Sequence, residues 1–259
     1  MTVFLAFLAL AAPPPPGAPI PREPEALAST YESTTRDLAA AIDVWHPRTG
    51  RVPRDVTLYA LYQQRIVILL SERHALSKTV LRRLDNPRPL QNELTARREL
   101  GRLSKPRPLS AFRTGPAAPA DRLRGYYLEA QLRFGVSWHL LAAVNYVESA
   151  FNKLRNASTA GAQWPMQFIP STWRSYGLGG NVHDPHDAIL GAANYLHANG
   201  APRNNRRALY RYNPSWLYVD AVLRYTRRFR ADPHAYYVFY SRQVFVRTPR
   251  GLVRLTGPR

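Results

Sequence analysis

Glu148 has the sequence setting best suited to acid–base chemistry in this chain. It shares one face of a predicted helix, which follows Ser137, with three apolar residues at helical intervals: Leu141, Val144 and Phe151. Apolar surroundings and the negative end of the helix dipole both disfavour a charged carboxylate. A carboxylic acid that stays protonated near neutral pH can protonate a leaving oxygen. Taken alone, however, this helix favours the simpler interpretation that Glu148 pairs with an arginine.

An ordered set of short motifs follows Glu148-Ser149. In chain order they are Gly161-Ala162-Gln163-Trp164-Pro165-Met166-Gln167-Phe168, Asp184-Pro185-His186-Asp187, Ala192-Ala193-Asn194-Tyr195 and Tyr212-Asn213-Pro214. The set resembles the soluble lytic transglycosylase domain of the goose-type lysozyme superfamily, in the form common among actinobacterial cell-wall enzymes. The resemblance covers residues 122–230, a little under half of the chain.

The resemblance implies a compact lysozyme-like, all-α domain that cleaves the glycan strands of peptidoglycan. Glu148 would be the catalytic acid and then base, and Ser149 beside it is expected to face the substrate. The remaining substrate-binding residues that the resemblance implies lie in the downstream motifs: Gln163, Trp164, Met166, Gln167, Phe168, Tyr212 and Asn213. Trp164 replaces the glycine of the common family pattern. Its bulky ring would narrow the groove that binds the glycan strand, or offer a face for sugar stacking.

Other interpretations apply to several motif residues. Asn213 precedes a proline and is a good helix cap whatever the function, while Asp184 and Asp187 are expected to cap another helix. Phe168 is equally typical of a core. Because Asp220 lies inside a predicted helix, no second carboxylate occupies the position that ordinary glycosidases require.

In the mechanism that the resemblance implies, one carboxylate is enough. Glu148 protonates the oxygen between N-acetylmuramic acid and N-acetylglucosamine, then removes a proton from the muramyl 6-hydroxyl. That hydroxyl attacks its own anomeric carbon, and the intramolecular geometry favours the step. The product is a 1,6-anhydro sugar. No cofactor is expected, and His183 and His186 lack a third ligand at metal-binding spacing.

Two alternatives stay open. A hydrolytic muramidase on the same fold would use water and leave a reducing end. A non-catalytic cell-wall-binding scaffold would have lost activity through the change at Trp164. Nucleic acid is not an expected partner, because the positive charge is spread along helices without a recognisable binding motif.

The chain is strongly basic and lacks cysteine. Its 36 Lys and Arg residues against 17 Asp and Glu give a formal charge of +19. A charge of this size favours polyanionic partners, among them anionic wall polymers, although arginine also serves simply to solvate helix faces. The absence of cysteine excludes disulfides, thiolate metal sites, cysteine nucleophiles and lipid attachment at cysteine.

The N-terminal segment predicts export. Met1–Ala12 is apolar apart from Thr2 and fits the core of a signal peptide, but no Lys or Arg precedes it. Either the true start lies upstream or the signal is a poor one. The expected location is therefore outside the cytoplasm, secreted or in the cell envelope. No other stretch reaches membrane-spanning length.

Proline-rich segments divide the chain and predict a mainly α fold. The predicted divisions are a signal peptide and start of a linker (1–20), a helical N-terminal region (21–104), a Pro-rich linker (105–120), the catalytic domain (121–231) and a β-hairpin tail (232–259). The helices predicted in the N-terminal region are Glu25–Val44, Asp55–Leu70, Ser71–Leu84 and Gln91–Leu103. Strands are predicted in the tail at Tyr236–Tyr240, Gln243–Arg247 and Leu252–Leu255.

Overall fold

A computed structural model describes residues 12–46, 48–158 and 161–258. Within them the elements are α1 (Pro24–Val44), α2 (Arg54–Glu72), α3 (His74–Leu81), α4 (Arg88–Leu103), a 3-10 turn (Leu109–Ala111), α5 (Ala120–Phe134), α6 (Trp138–Ser149), α7 (Pro170–Tyr176), α8 (Pro185–Ala198), α9 (Asn205–Tyr212), α10 (Trp216–Ala231), α11 (Ala235–Ser241), β1 (Phe245–Thr248) and β2 (Gly251–Arg254). The predicted mainly α fold with a β-hairpin tail is confirmed. The predicted signal segment lies outside the described residues except for Ala12.

Local sequence signals place some helix ends but not others. The Asp184 side chain accepts hydrogen bonds from the His186 and Asp187 amides and so caps α8 as predicted. The same expectation for Asn213 is wrong, because Ser215 occupies the N-cap of α10 and Asn213 ends α9 instead. The predicted helix Ser71–Leu84 is also divided, since α2 continues to Glu72 and α3 begins at His74.

The segment Tyr236–Tyr240 is helical, which corrects the predicted strand. Aromatic residues favour strands when considered locally, but every residue of α11 is buried. A helix that is apolar all round is stable when it is enclosed by other elements. The Tyr236 ring meets the rings of Tyr127 and Phe151 edge-on, at centroid distances of 6.3 and 5.4 Å. Tertiary packing therefore overrides the local preference.

The tail ends in the predicted hairpin. Strands β1 and β2 are antiparallel, with Phe245 opposite Arg254 and Thr248 opposite Gly251. Gly251 has a φ of +112°, which a residue with a side chain rarely adopts, so the turn depends on glycine there.

One large core extends through both halves of the chain. It joins buried residues of α1, α2 and α4, such as Ile42 and Tyr59, to those of α5, α6 and α8–α11, such as Tyr127 and Val222. A smaller second core lies among α1–α4 and includes Leu27, Ile66, Leu70, Leu90 and Leu94. The N-terminal helices thus support α10 directly through α4. The predicted division into domains stays a prediction.

None of the helices in the described part of the chain combines the length and the apolar character that a membrane crossing requires.

Candidate active site

Glu148 lies at the C-terminal end of α6, where the helix leaves the core. The preceding residues Leu140–Asn145 are all buried, whereas Glu148 is half-buried. The Tyr218 hydroxyl donates a hydrogen bond of 2.6 Å to Glu148 Oε1. Tyr218 comes from the first turn of α10 and is only 2% exposed. The packing of α10 against α6 therefore gives this carboxyl a fixed partner from 70 residues away.

Burial raises the pKa of Glu148 from 4.5 to about 7, and the hydrogen bond from Tyr218 opposes the shift. The charged form loses solvation in this setting, whereas the Tyr218 O–H stabilises the carboxylate oxygen that accepts it. A group with such a pKa holds and releases a proton readily near neutral pH, which general acid and base catalysis both require.

The chain turns sharply after Glu148. Three consecutive residues without glycine adopt left-handed backbone conformations: Ala150, Phe151 and Asn152, with φ values of 51°, 59° and 69°. Such conformations cost about 1–2 kcal/mol each for residues with a side chain. Surrounding interactions must compensate for this strain.

A buried polar network around Asn145 supplies that compensation. The Asn145 side-chain oxygen accepts a hydrogen bond of 2.5 Å from the Tyr127 hydroxyl. Its nitrogen donates to Asn152 Oδ1 at 2.6 Å and to Ser149 Oγ at 3.1 Å. The Ser149 hydroxyl in turn donates to the Pro165 carbonyl at 2.7 Å. These bonds attach the end of α6 to the loop that contains residues 163–168.

The same network corrects the expectation for Ser149. Its side chain is 1% exposed, and its hydroxyl points to the Pro165 carbonyl. A side chain in that position does not face a substrate. In this structure Ser149 instead holds the 163–168 loop against the helix that carries Glu148.

The loop over residues 163–168 is closed by two backbone hydrogen bonds between Gln163 and Phe168, of 2.8 and 3.0 Å. Met166 is 0% exposed and Phe168 3% exposed, so their side chains belong to the core. Their predicted place in the substrate-binding wall stays a prediction, with the side chains supporting that wall from the core side. Gln163 and Gln167 are half-buried, and Gln167 Nε2 donates to the Asn156 carbonyl at 3.2 Å.

Tyr212 connects this loop to the end of α9. Its hydroxyl donates to the Met166 carbonyl at 2.5 Å. Burial raises the pKa of Tyr212 well above 10, and the nearby charge of Glu148 adds to the rise. The structure thus brings Tyr212 close to Glu148, and Asn213 follows it as a half-buried residue.

Trp164 is half-buried between two side chains. The Arg155 guanidinium carbon lies 4.9 Å from the Trp164 ring centroid, and the His183 ring centroid lies 5.2 Å from it. The Trp164 carbonyl is also 3.2 Å from His183 Nδ1. The indole is therefore held in one orientation with part of its surface open to solvent.

The sequence analysis did not predict a role for Tyr218 or Asn145. Tyr218 donates a hydrogen bond to Glu148, and Asn145 holds the turn that follows Glu148. Tyr218 has the spacing of a core aromatic, next to the buried Val219 and Val222. The available signal was a polar atom on a buried face, since a buried Tyr or Asn requires a hydrogen-bond partner. The sequence does not say which partner that is.

A possible set of metal ligands lies elsewhere, at Asp184, His186 and Asp187, whose donor atoms are within 4.8 Å of one another. Their atoms already have protein partners. Asp184 caps α8, His186 Nε2 lies 2.9 Å from Glu129 Oε2, and Asp187 Oδ2 accepts from the Asn181 amide at 2.8 Å. The arrangement fits the predicted capping role.

Replacing Tyr218 by phenylalanine should raise the pKa of Glu148 above about 7, by up to about one unit. The variant lacks the O–H that donates to the carboxylate at 2.6 Å, so the charged form is less stable relative to the protonated form. Carbon NMR titration of the side-chain carboxyl measures the change. Tyr212→Phe is the matched control, since that hydroxyl donates to a backbone carbonyl. Equal titration curves for the Tyr218→Phe variant and the parent would contradict the assigned hydrogen bond.

Comparison with known proteins finds similarity in the segment that carries this site. Residues 125–232 match the family model described as the transglycosylase SLT domain. The chain is 36% identical over 74 residues to the membrane-bound lytic murein transglycosylase F of Thiobacillus denitrificans. It is 28% identical over 159 residues to the membrane-bound lytic murein transglycosylase F 1 of Alkalilimnicola ehrlichii.

The matched parts are limited in length. The first alignment covers 29% of this chain and 15% of the relative, and the second covers 56% of this chain and 32% of the relative. No solved structure matches the chain significantly. Glu148, Tyr212 and Tyr218 all lie within the segment that matches the SLT model.

Proposed function

Because the chain carries a transglycosylase SLT domain over residues 125–232, we propose that it is a peptidoglycan lytic transglycosylase with Glu148 as its catalytic group. One observation carries the assignment. Within the matched segment, a half-buried carboxyl with a pKa of about 7 accepts a hydrogen bond from Tyr218. That carboxyl can donate a proton to a glycosidic oxygen and afterwards accept one from a hydroxyl.

The proposed reaction moves protons through Glu148 alone. The protonated carboxyl gives its proton to the oxygen between N-acetylmuramic acid and N-acetylglucosamine as the bond from that oxygen to the muramyl anomeric carbon breaks. The carboxylate, stabilised by the Tyr218 O–H, then takes the proton of the muramyl 6-hydroxyl. The freed oxygen bonds to the anomeric carbon. The ring so formed is a 1,6-anhydro sugar, and no water is consumed.

We propose that two kinds of residue form the glycan-binding groove. Those with open surface would touch the glycan: Gln163, Trp164, Gln167, Tyr212 and Asn213. Those with buried side chains, Ser149, Met166 and Phe168, would fix the wall on which they lie. Trp164 places an aromatic face at this wall, which suits stacking on a sugar ring.

Peptidoglycan lies outside the cytoplasm, so we propose a secreted or envelope location for the mature protein. The proposed organisation keeps the predicted divisions, with the N-terminal helices 21–104 as support for the catalytic domain through their shared core. Anionic wall polymers are a second proposed class of partner, since the chain carries a formal charge of +19.

Mass spectrometry of fragments released from purified peptidoglycan tests the reaction type. We expect muropeptides lighter by one water than hydrolysis products. Fragments with reducing ends would instead identify a hydrolytic muramidase on the same fold. Wall binding without any released fragment would identify a non-catalytic scaffold, and either result would overturn the proposal.

A further inference from the structure

A second pocket lies at the opposite end of α6 from Glu148. It has a volume of about 550 Å³ and lies between the end of α1, the first turn of α6 and the end of α10. His139 lines it, nine residues before Glu148. That separation is about 13 Å along the helix axis, so the pocket is distinct from the candidate active site.

Three guanidinium groups from different parts of the chain line this pocket: Arg48 after α1, Arg124 on α5 and Arg230 on α10. Among the described residues, none of these three groups forms an ion pair with a carboxylate within 4.0 Å. Like charges gathered in this way repel one another. An anion in the pocket would remove that repulsion.

The nearby acids are engaged elsewhere. Asp43 lies 2.8 Å from His234 Nε2, and both residues line the pocket. Asp121 accepts hydrogen bonds from the Tyr237 hydroxyl at 2.8 Å and from a backbone amide at 3.3 Å. Asp232 pairs with Arg228 at 2.9 Å. These carboxylates offset part of the local positive charge, but none of them forms an ion pair with the three guanidinium groups.

Aromatic rings hold two of the guanidiniums in place. The carbon of the Arg48 guanidinium lies 4.2 Å from the Tyr237 ring centroid, and that of Arg124 lies 5.2 Å from Trp138. Stacking on a ring orients the planar guanidinium group. Arg48 is 8% exposed, its Nη2 donates to the Ile42 carbonyl at 2.8 Å, and its Nη1 lies 3.2 Å from His46 Nδ1. Arg48 is therefore fixed by the protein and contributes its positive charge to the pocket, whereas Arg124 and Arg230 are exposed.

His139 reports on the electrostatic field in the pocket. Burial, together with the charges of Arg230 and Arg124, lowers its pKa from 6.5 to about 4. The ring is therefore neutral near pH 7 and stacks on Trp138 at a centroid distance of 4.0 Å. A neutral imidazole can donate one hydrogen bond without adding to the repulsion among the arginines.

We propose that this pocket is an anion site for a phosphoryl group, bound by Arg124 and Arg230 and favoured by the positive charge of Arg48. Guanidinium groups form charge-assisted, two-point hydrogen bonds with phosphate oxygens. Donors on two different helices, α5 and α10, can approach separate oxygens of a tetrahedral oxyanion. The volume of about 550 Å³ exceeds that of one phosphate, so the site has room for the alcohol or sugar of a phosphate ester. The inference does not depend on the proposed glycan cleavage.

Proton NMR titration of the His139 imidazole tests this site directly. At constant ionic strength, inorganic phosphate should raise the pKa of His139 by about one unit or more relative to chloride, because a bound anion offsets the arginine charges. Dimethyl phosphate is the second probe and acetate the carboxylate comparison. Binding of both phosphoryl compounds supports a diester-bearing ligand, whereas binding of inorganic phosphate alone supports a free or terminal phosphate.

Two variants and a matched control complete the experiment. Arg124→Gln and Arg230→Gln should each weaken phosphate binding about tenfold or more, since each removes one charged donor pair. Arg122→Gln changes an exposed arginine on the same helix α5 and should bind phosphate like the parent. Circular dichroism checks folding, and because the replaced side chains are exposed we expect unchanged spectra.

The proposal is overturned if phosphate leaves the His139 titration unchanged, or if the Arg124→Gln and Arg230→Gln variants match the Arg122→Gln control. Acetate binding as tight as phosphate binding would also overturn the phosphoryl assignment. Glycan cleavage by the same variants gives an independent readout. We expect the Arg124→Gln and Arg230→Gln variants to cleave isolated glycan fragments like the parent. Loss of the anion site can therefore be distinguished from loss of the proposed activity.

Discussion

Replacing Glu148 by glutamine should lower the rate of glycan cleavage by about 10³–10⁴-fold. The amide occupies nearly the same space as the carboxyl, but it neither donates a proton to the leaving oxygen nor accepts one from the 6-hydroxyl. Among the described residues, no other carboxylate is one of the groups that shift the pKa of Glu148. Release of 1,6-anhydro fragments, followed over time, measures the loss.

Glu129→Gln is the matched control for this prediction. Glu129 is an exposed carboxylate of the same SLT segment that pairs with His186 at 2.9 Å. Its replacement should leave the cleavage rate within about twofold of the parent. A Glu148→Gln variant that keeps the parent's rate would exclude the assigned role of this carboxyl.

Stability measurements separate loss of chemistry from loss of structure. The folded pKa of Glu148, about 7, exceeds the value of 4.5 taken for the unfolded chain. Its protonated form therefore favours the folded state below pH 4.5, and that contribution is lost as the pH rises to 7. Glutamine does not titrate. The melting temperature of the variant relative to the parent should thus rise between pH 4 and pH 8, and a fall would contradict the raised pKa. A variant that melts far below the parent at pH 4, where both side chains are uncharged, would indicate structural damage.

Replacing Arg242 by methionine should destabilise the protein by about 3–5 kcal/mol. Arg242 is 3% exposed, forms an ion pair with Glu93 of α4, and donates to Gln63 Oε1 of α2 at 3.0 Å. Without it, the buried Glu93 carboxylate loses its ion-pair partner. Urea unfolding followed by circular dichroism measures the change in the free energy of unfolding.

Two further variants define the origin of this effect. The double replacement Glu93→Leu with Arg242→Met removes both charges and should recover most of the lost stability. Arg224→Gln is the comparison for a more exposed pair, because Arg224 lies 3.4 Å from Glu99 and its loss should cost below about 1 kcal/mol. If Arg242→Met also lowered the free energy of unfolding by less than about 1 kcal/mol, the buried ion pair would not be what holds the tail to α4 and α2.

Much of this fold follows from local sequence patterns. The periodicity of apolar residues predicts α1, α2 and α6, and the Asp184-Pro185 cap predicts the start of α8. The Thr248–Gly251 turn predicts the hairpin. The position of Glu148 on an apolar stripe predicts a carboxyl whose charged form is disfavoured, in agreement with its raised pKa. These features depend on residues within a few positions of one another.

The tertiary structure alone decided which distant groups meet. The sequence predicts that Glu148 is partly buried, but its hydrogen bond to Tyr218 depends on how α10 packs against α6. The same applies to the burial of Ser149 against the Pro165 carbonyl. The strand predicted at Tyr236–Tyr240 became α11 because enclosure on all sides outweighs local β-preference. Arg48, Arg124 and Arg230 likewise line one pocket only in the fold, because charge spacing along the chain carries no information on contacts between helices.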